Sequence, residues 1–592
     1  MMKELEFPFD GKSIIGKKIK LRKQLTNDGV KRVHKKIAIL GGSTTNDIKL
    51  CIELFLLNYG IEPEFYESEY NQYYQDSMFP PEKLVAFNPD IIYIFTTNRN
   101  ITSYPTMTDS SEVIEKMIES EISKFSAMWD KLFSDFHCPI IQNNFEKPFY
   151  RLLGNKDATD IHGKVNFINR LNQKWSEYAQ KHENFYICDI DYISSDYGLS
   201  AWFDLQCWYM YKYAMSLAAI PTLSFNVANI IKSVFGKNKK GFVLDLDNTL
   251  WGGIIGDDGV DNIEIGPEEA VGQAYLEFQR YLKEHKQLGL ILNIDSKNEE
   301  ENALAGLKHP DGVLGPDDMI VIKANWEPKD RNFVQIANEL SLLPESLVFV
   351  DDNPAERHIV AEQLPGVSAP DIGSVQDYIK VLDRSGFFET TVISADDAKR
   401  NQMYKENAER AQLEAKFDNY SDYLLSLNMK ATIMPFEPVL MARISQLSNK
   451  SNQFNLTTRR YTQDEIELIA ANPDYIDLYG RLEDRFGDNG VVSVVIGHQM
   501  GNRVDIDLWI MSCRVLKRDM EYAMMDEFIS ICKKRNIDTV VGHYYPTAKN
   551  GMVKDFYALH GFTKTYEDAG GNAQWEINTA DYSPKNHVIN VN

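Results

Sequence analysis

Two carboxylates one residue apart, Asp245 and Asp247, directly follow a short apolar run, FVL. A few β-favouring residues closed by Asp and Gly predict a buried strand that ends in a loop. The two carboxylates would repel each other by about 1–4 kcal/mol at about 4 Å, and a bound Mg²⁺ offsets such repulsion because it prefers carboxylate oxygens. The pattern predicts that Asp245 attacks phosphorus while Asp247 gives and takes the leaving-group proton. The alternative is an ordinary Asp-rich turn.

Further polar residues follow, each at the end of a strand or the start of a helix. Ser296 ends the run LGLILNIDS, Lys329 opens the helical pattern of NWEPKDRNFVQIANELS, and SLVFV is followed by Asp351 and Asp352. The hydroxyl and the ammonium are placed to bind phosphoryl oxygens beside Asp245. This order resembles the four-part signature of the haloacid dehalogenase-like (HAD) superfamily of phosphatases and phosphotransferases. The resemblance implies phosphoryl chemistry rather than dehalogenation, because only a phosphate leaving group needs the proton of the second acid.

Strands that alternate with helical patterns predict an α/β protein, which we divide into three domains. The first, residues 1–237, resembles the SGNH-hydrolase fold, a parallel α/β sheet with Ser43 after its first strand and Asn98 after a later one. That family has Asp and His together near the end of the domain, where this chain has Asp204 and Cys207 but no histidine. We therefore predict an incomplete triad, and a binding or docking role for this domain.

The second predicted domain, residues 238–396, is a HAD-like Rossmannoid core. One helical pattern, Pro267 to His285, separates the first acid pair from Ser296, which leaves no room for a cap domain there. An open pocket of this kind suits a large or protein-borne substrate, and it needs a neighbouring part of the protein to exclude water.

The third predicted domain, residues 397–592, begins with a linking helix and resembles the mixed α/β fold of GNAT acyltransferases. Where that fold has a Gly-rich pyrophosphate loop, this chain has CRVLKR, beginning at Cys513. We predict that this thiol lies just before a helix start among the cations Arg514, Lys517 and Arg518, which lowers a cysteine pKa and favours the thiolate. The alternative is an inert core cysteine.

Charge, hydropathy and cysteine content indicate which partners are disfavoured and which compartment is expected. The formal net charge of −23 over 592 residues disfavours nucleic acid as a partner, since phosphate backbones need clustered Lys and Arg. No apolar run is long enough to span a membrane. The scattered cysteines predict reduced thiols and a cytoplasmic protein; they are Cys51, Cys138, Cys188, Cys207, Cys513 and Cys532.

Several longer strings, among them DLDNTLWGG, NWEPK, QLSNKSNQFNLTTRRY, LEDRFGDNG, IMSCRVLKR and TAKNGMVKDFY, resemble the FkbH-like family over nearly the whole chain. Members look like glyceryl transferase/phosphatases of polyketide or surface-polysaccharide pathways. The resemblance implies that a phosphoglyceryl group is taken from 1,3-bisphosphoglycerate, dephosphorylated, and loaded onto the phosphopantetheine thiol of an acyl carrier protein. One departure is Asp295, where the family has a small uncharged residue; this carboxylate either weakens phosphate binding or supplies another metal contact.

The residues and the resemblance together predict the following roles. Asp245 is the nucleophile and Asp247 the general acid/base; Ser296 and Lys329 neutralise the phosphoryl oxygens, and Cys513 carries the acyl group as a thioester. Mg²⁺ is held by Asp245, Asp352 and the Asp247 carbonyl, with Asp351 in support. The predicted substrate-binding residues are Thr249, Asn298, Asn452, Gln453, Asn455, Arg459, Arg514 and Arg518. For the polar string from Asn452 to Arg459, the alternative is a solvated, turn-rich surface.

Two other functions remain open at this point. The first alternative is a phosphatase that acts on a small phospho-ester or phosphosugar. In that case the C-terminal domain of the chain recognises the substrate. It is otherwise a non-enzymatic docking protein of a biosynthetic assembly. A carrier-protein gene next to this one would favour the transferase.

Overall fold

The computed structural model describes residues 2–393, 395–414, 416–451, 453–547 and 549–592. The chain forms two compact units, Met1–Val234 and Phe235–Asn592. The first unit ends at Val234, and the first predicted domain ends at residue 237. The second unit spans the second and third predicted domains, whose division after residue 396 stays a prediction. Among the described residues, no helix combines the length and the apolar character needed to cross a bilayer.

The first unit contains a five-stranded parallel sheet of order β2-β1-β3-β4-β5 with helices packed around it. Strand β2 is absent from the sequence prediction because it is an edge strand that exposes Glu62 and Glu64, so it lacks an apolar run. The strands are β1 Val33–Gly41, β2 Ile61–Glu67, β3 Ile91–Phe95, β4 Ile140–Asn143 and β5 Phe185–Cys188. The helices are α1 Gly11–Thr26, α2 Asn46–Asn58, α3 Tyr73–Met78, α4 Glu82–Phe87, α5 Ser111–Phe136, α6 Lys164–Ala179, α7 Ile190–Tyr197, α8 Leu199–Trp202, α9 Leu205–Tyr211 and α10 Ile220–Val234.

The second unit begins with a four-stranded parallel sheet of order β8-β7-β6-β9. Alternate residues of β6 pack into apolar clusters on its two faces, Phe242 and Leu244 on one side and Val243 on the other. Leu244 at the end of β6 pairs with Ile294 and with Val350, so the carboxyl ends of three strands align.

The strands of this sheet are β6 Gly241–Leu244, β7 Ile291–Ser296, β8 Met319–Ala324 and β9 Leu347–Val350. Its helices are α11 Ile255–Asp258, α12 Ala270–Gln287, α13 Glu300–Leu307, α14 Lys329–Glu339, α15 Pro354–Gln363 and α16 Val375–Arg384, and α17 Ala395–Glu414 then leads to the C-terminal sheet. The described part of the chain between β6 and β7 contains helix α12 and short helical turns, in agreement with the predicted lack of a cap domain.

The C-terminal sheet is mixed and has the order β16-β17-β15-β14-β13-β12-β10-β18, with β11 paired to β14. Strands β14 and β15 run parallel up to Ile506 and Gly542. Leu456 then bridges them, donating its N–H to Trp509 O at 3.1 Å and accepting from Tyr545 N at 2.8 Å.

The C-terminal strands are β10 Lys430–Met434, β11 Phe454–Asn455, β12 Tyr475–Asp484, β13 Gly487–Met500, β14 Arg503–Met511, β15 Thr539–Tyr544, β16 Thr563–Glu567, β17 Ala573–Asn578 and β18 Asn590–Val591. The helices are α18 Tyr420–Ser426, α19 Met441–Lys450, α20 Gln463–Ala471, α21 Met520–Lys534 and α22 Phe556–Leu559. The chain is therefore a mixed α/β protein with two parallel sheets and one mixed sheet, which agrees with the predicted class.

Candidate active site

The aligned ends of β6, β7 and β9 bring the predicted phosphoryl residues together. The N–H of Asp245 donates to Val350 O at 2.9 Å, which fixes the loop after β6 beside the end of β9. Helix α14 begins at Lys329, whose Nζ lies 3.0 Å from Asp245 Oδ1 and also bonds to Asp351 Oδ2. Only 3% of Lys329 is exposed. This ammonium is consequently held between two carboxylates and has little freedom to move.

Three carboxylates form a candidate cation site at this edge. Oxygens of Asp245, Asp351 and Asp352 all lie within 4.8 Å of one another. Burial and the nearby Asp245 charge raise the pKa of Asp352. The same two causes raise the pKa of Asp351, although the Lys329 ammonium opposes them. A divalent cation would favour the charged carboxylates, and an all-oxygen donor set fits Mg²⁺ rather than zinc.

The carboxylate of Asp247 points away from this cluster. Its Oδ1 accepts from Trp251 Nε1 at 2.9 Å and from Ile255 N at 3.1 Å, while its Oδ2 accepts from Asn298 Nδ2 at 2.9 Å. Asn298 Nδ2 also lies 3.3 Å from Ser296 Oγ. Asp247 is thus oriented by fixed donors on the Ser296 side of the pocket, which suits a proton-transfer role. Its side chain adds no ligand to the cation cluster, and the predicted contact through its carbonyl stays a prediction.

Two side chains hold the loops around the carboxylates. The hydroxyl of Thr249 accepts the N–H of Asp352 at 3.2 Å and is fully buried. This geometry gives Thr249 a positioning role instead of the predicted substrate contact. Arg357 was missed by the sequence analysis; its guanidinium donates to the carbonyl oxygens of Asp351 at 2.8 Å and Asp352 at 2.7 Å. The only feature of the sequence that pointed to Arg357 is its position shortly after the acid pair, in the segment that forms α15.

Asp295, the departure from the family pattern, lies beside the cation site but outside it. Because side chains alternate along β7, Ser296 and Asp295 point to opposite faces. Asp295 Oδ1 accepts from Asn332 Nδ2 at 3.1 Å, and its buried Oδ2 has no partner among the described residues. Burial raises the pKa of Asp295 to about 8. The raised pKa favours the neutral acid near pH 7, and Asp295 is not part of the cluster of Asp245, Asp351 and Asp352. Its two predicted roles, a weaker phosphate site or a further metal contact, stay predictions.

Ser43 of the first unit lies in a different setting. It follows β1, is 2% exposed, and its Oγ has no hydrogen-bond partner in the described part of the chain. Cys207, where a triad would have a histidine, donates its thiol proton to Asp204 Oδ2 at 3.2 Å. His162 instead bonds to Asp160 Oδ1 at 2.7 Å. No general base is thus seen on Ser43 within these described residues.

Comparison with known proteins shows which family this architecture resembles. The model of the FkbH N-terminal domain matches residues 36–232. The crystal structure of the N-terminal part of the protein BF1531 from Bacteroides fragilis, which contains a phosphatase domain complexed with Mg, is 31% identical over 63% of this chain and 99% of its own length, with a TM-score of 0.59. This chain belongs to the FkbH-like family. It carries the phosphatase domain of the HAD type that the family resemblance predicted.

The magnesium expectation is supported to the extent that this relative was crystallised with Mg. Two other solved structures are far less similar to this FkbH-like chain. The ribosomal-protein-S18-alanine N-acetyltransferase from Escherichia coli is 11% identical and covers 26% of this chain and 99% of its own, with a TM-score of 0.21. The spermidine N-acetyltransferase from Vibrio cholerae, in complex with CoA and spermine, is 13% identical over 26% of this chain and 98% of its own, with a TM-score of 0.22. Neither the fold name nor the activity of those enzymes transfers at this level. No protein of curated function matches the chain.

Cys513 of this FkbH-like chain does not lie directly before a helix, so that prediction was wrong. The residue begins a short 3₁₀ turn, Cys513–Val515, and α21 starts only at Met520. Lys517 and Asp519 adopt left-handed backbone conformations in between, with φ of 65° and 60°. A helix dipole acts only within the first turn, so it does not account for an activated thiol here.

The cation beside Cys513 instead comes from the phosphatase domain. Lys240 Nζ lies 3.5 Å from the Cys513 sulfur. Burial alone would raise the pKa of this thiol, but the charges of Lys240 and Arg514 outweigh it, so the pKa of Cys513 lies below its usual range. Lys240 precedes β6, whereas Asp245 follows it, which separates their Cα atoms by about 16 Å at about 3.3 Å per residue. The thiol and the phosphoryl site are therefore at opposite edges of one sheet.

The two predicted arginines after Cys513 are engaged inside the protein. Arg514 is buried and its Nε donates to Ser512 Oγ at 3.1 Å. Arg518 lies 3.1 Å from Asp484 and donates to Asn407 Oδ1 at 2.7 Å. A substrate contact by Arg518 would require a buried ion pair to break, which is costly. The geometry assigns both arginines to the interior rather than to substrate.

The predicted polar string is only partly exposed. Asn455 is buried and closes a turn, accepting from Thr458 N at 2.8 Å. Arg459 is half-exposed and pairs with Asp507 at 3.0 Å. Gln453 is partly exposed, and Asn452 lies outside the described residues. Of this string, Arg459 is best placed to meet a ligand, and the roles of the others stay predictions.

Proposed function

We propose that this protein is an Mg²⁺-dependent phosphatase/acyltransferase that removes phosphate from a phosphoglyceryl-type acyl group and loads the glyceryl unit onto an acyl carrier protein. The observation that carries the phosphatase half is the buried Lys329 ammonium, 3.0 Å from Asp245 and bonded to Asp351, next to a third carboxylate. This arrangement is a preorganised site for a tetrahedral dianion at the end of parallel strands.

The proposed phosphoryl step uses the residues at this edge. Asp245 Oδ attacks phosphorus, the P–O bond to the substrate breaks, and Asp247 gives its proton to the leaving oxygen. Water, deprotonated by Asp247, then releases phosphate and restores Asp245. Lys329 and Ser296 hold the phosphoryl oxygens throughout. Mg²⁺ held by Asp245, Asp351 and Asp352 would neutralise charge on those oxygens.

The acyl-transfer half of the proposal rests on Cys513. Its thiolate attacks the carbonyl carbon of the acyl phosphate in 1,3-bisphosphoglycerate; a C–S bond forms, the C–O bond breaks, and phosphate leaves. The phosphopantetheine thiol of the carrier protein then takes the acyl group by thioester exchange, and Cys513 leaves as the thiolate. The Lys240 ammonium, 3.5 Å from the sulfur, supports this role because it favours the charged thiol.

A second candidate function is favoured by the separation of the two sites. Since Lys240 and Asp245 stand at opposite ends of β6, a glyceryl unit bound at Cys513 does not reach Asp245 without release or a long carrier arm. A phosphatase of a small phospho-ester or phosphosugar needs no such transfer. The complete phosphoryl site argues against a non-enzymatic docking protein.

The mass of the intact protein after incubation with 1,3-bisphosphoglycerate and Mg²⁺ separates these functions. The transferase predicts an acyl adduct on Cys513 that hydroxylamine removes and that passes to a phosphopantetheinylated carrier protein. Phosphate release without any acyl adduct would favour the small-substrate phosphatase. An adduct on Cys138 or Cys207 would place the transferase in the first unit instead.

A further inference from the structure

A large aromatic side chain stands exposed beside the phosphoryl site. Trp326 follows β8 and is 68% exposed, while its Nε1 donates to Glu299 Oε1 at 2.7 Å. Its neighbour Asn325 donates its N–H to Ser296 O at 3.1 Å. Glu299 directly follows Asn298, which contacts Ser296 Oγ at 3.3 Å. The indole is thus held beside the carboxyl end of β7, where Ser296 lies. We call this side of the phosphoryl site its mouth.

A second apolar side chain belongs to the same mouth. The N–H of Ile255 donates to Asp247 Oδ1 at 3.1 Å, and the preceding Ile254 is 47% exposed. Single exposed apolar residues are ordinary on protein surfaces. Trp326 differs because its Nε1 is hydrogen-bonded to Glu299 although most of the side chain is exposed. A substrate that covered a ring held in this way would gain apolar contact at little further cost in side-chain freedom.

The charges around this mouth have one dominant sign. Three segments form it, residues 254–258, 297–301 and 325–327. Their only cation, Lys297, already pairs with Glu356 at 2.5 Å. Their exposed acids, called the acidic rim below, are Asp257, Asp258, Glu299, Glu300, Glu301 and Glu327. Charges within about 8–10 Å of a bound ligand are not fully screened at physiological salt. We expect the acidic rim to repel a second anionic group on the substrate, whereas Lys329 serves the phosphoryl group itself.

We propose that Trp326 and the acidic rim select phosphomonoesters whose remaining part is uncharged and presents an apolar face. A substrate with a carboxylate or second phosphate near the mouth is disfavoured. This inference rests on the proposed phosphatase and names its substrate class, a phosphoryl group on a neutral carrier such as a thioester. Trp326 is a specificity residue that contacts the non-reacting part of the substrate.

The test compares two pairs of probes, and in each pair one member carries a carboxylate that the other lacks. The pairs are phenyl phosphate with 4-carboxyphenyl phosphate, and the N-acetylcysteamine thioester of 3-phosphoglycerate with 3-phosphoglycerate itself. With Mg²⁺, we expect the wild type to hydrolyse the uncharged member of each pair with a kcat/KM about tenfold higher.

Substitutions of Trp326 and of the acidic rim show which residues cause the preference for uncharged probes. Trp326→Ala should raise KM for the uncharged members about five- to tenfold with little change in kcat, because it removes contact area shared by bound substrate and transition state. Trp326→Phe should keep most of the affinity. Glu300→Lys with Glu327→Lys should raise kcat/KM for the carboxylated members. Tyr566→Ala, which removes an exposed aromatic from β16, is the matched control and should change nothing.

The outcomes separate this inference from the function on which it rests. Equal kcat/KM within each pair, or an unchanged KM in Trp326→Ala, overturns the inference and leaves the phosphatase intact. A fall in kcat without a change in KM would show that Trp326 merely supports the loop, and it overturns the inference too. If the folded wild type hydrolyses none of the four probes, the proposed phosphatase itself is refuted.

Discussion

In both parallel sheets a polar residue follows a strand at the carboxyl edge, but the two residues have different neighbours. In the first unit, Ser43 follows β1 and stays buried with no partner on its hydroxyl among the described residues. In the second unit, Asp245 follows β6 and is joined to Lys329 and, through it, to Asp351. Parallel topology brings polar side chains to an edge, but chemistry also needs charges supplied by neighbouring loops.

The protonation state of the nearby groups explains the contrast. In the first unit, burial and the hydrogen bond to Asp204 raise the pKa of Cys207, so this thiol donates a proton and does not act as a base at neutral pH. In the second unit, the charges of Asp245 and Asp351 outweigh the effect of burial and raise the pKa of Lys329, so the ammonium stays charged. The first edge therefore shows no charged partner on Ser43 among the described residues, whereas the second edge holds a charged ammonium beside Asp245.

The largest expected effect is that of Asp245→Asn. The amide keeps the shape of the side chain but is not nucleophilic, so phosphate release should fall by about three orders of magnitude or more. Asp261→Asn, an exposed acid of the same domain, is the control and should behave like the wild type. Release measured with a phosphomonoester at a near-wild-type rate in Asp245→Asn would contradict the assignment of this edge.

Removal of the divalent cation should have the second-largest effect on phosphate release. The cluster of Asp245, Asp351 and Asp352 offers only oxygen ligands. We expect activity to vanish in excess EDTA and to return with Mg²⁺ but not with Zn²⁺. Full turnover in the chelator would show that the reaction needs no divalent cation at these carboxylates.

Cys513→Ala tests whether the thiol at the amino end of β6 carries the acyl group independently of the phosphoryl site. The variant should lose the acyl adduct and carrier loading, while phosphate release at Asp245 continues at least in part. The reason is that the two sites share no side chain. Cys513→Ser is the matched probe, because an oxygen ester transfers poorly to a thiol. Concerted loss of both activities would mean that the sites are not independent.

Asp295→Asn should change the pH dependence of stability. Burial raises the pKa of Asp295 from 3.8 to about 8, so the folded state binds a proton that the unfolded state releases between these values. Its contribution to the free energy of unfolding should accordingly fall as pH rises from about 4 to about 8. The amide is neutral throughout, so the variant should lose this slope. Denaturant titrations at several pH values measure it, and parallel curves for the two proteins would refute a neutral Asp295.

The smallest expected effect is that of Ser43→Ala. Since no base contacts this hydroxyl in the part of the chain that the structure describes, we expect phosphate release and carrier loading to stay within about twofold of the wild type. Hydrolysis of a chromogenic acetate ester should be equally unaffected. Loss of esterase activity in this variant alone would show that the first edge is an active site after all.

The local order of residues was sufficient to predict which polar side chains stand at the ends of the strands of the second unit. Apolar runs closed by Asp or Ser marked the ends of β6, β7 and β9, and NWEPK marked the start of α14. These are short-range features, because a strand end and a helix start depend on side chains a few residues apart. The edge strand β2 escaped prediction since its exposed glutamates give no apolar run.

Contacts between distant segments were decided only by the tertiary structure. The sequence did not show that Asp247 turns toward Trp251 and Asn298, that Arg357 holds the loop of Asp351, or that Lys240 faces Cys513. Each of these depends on strand register and on the packing of helices that are far apart in the chain. Whether a carboxyl group is charged was equally beyond the sequence. The pKa of Asp295 is raised because the surrounding fold removes water from it, and burial is a property of the packed structure alone.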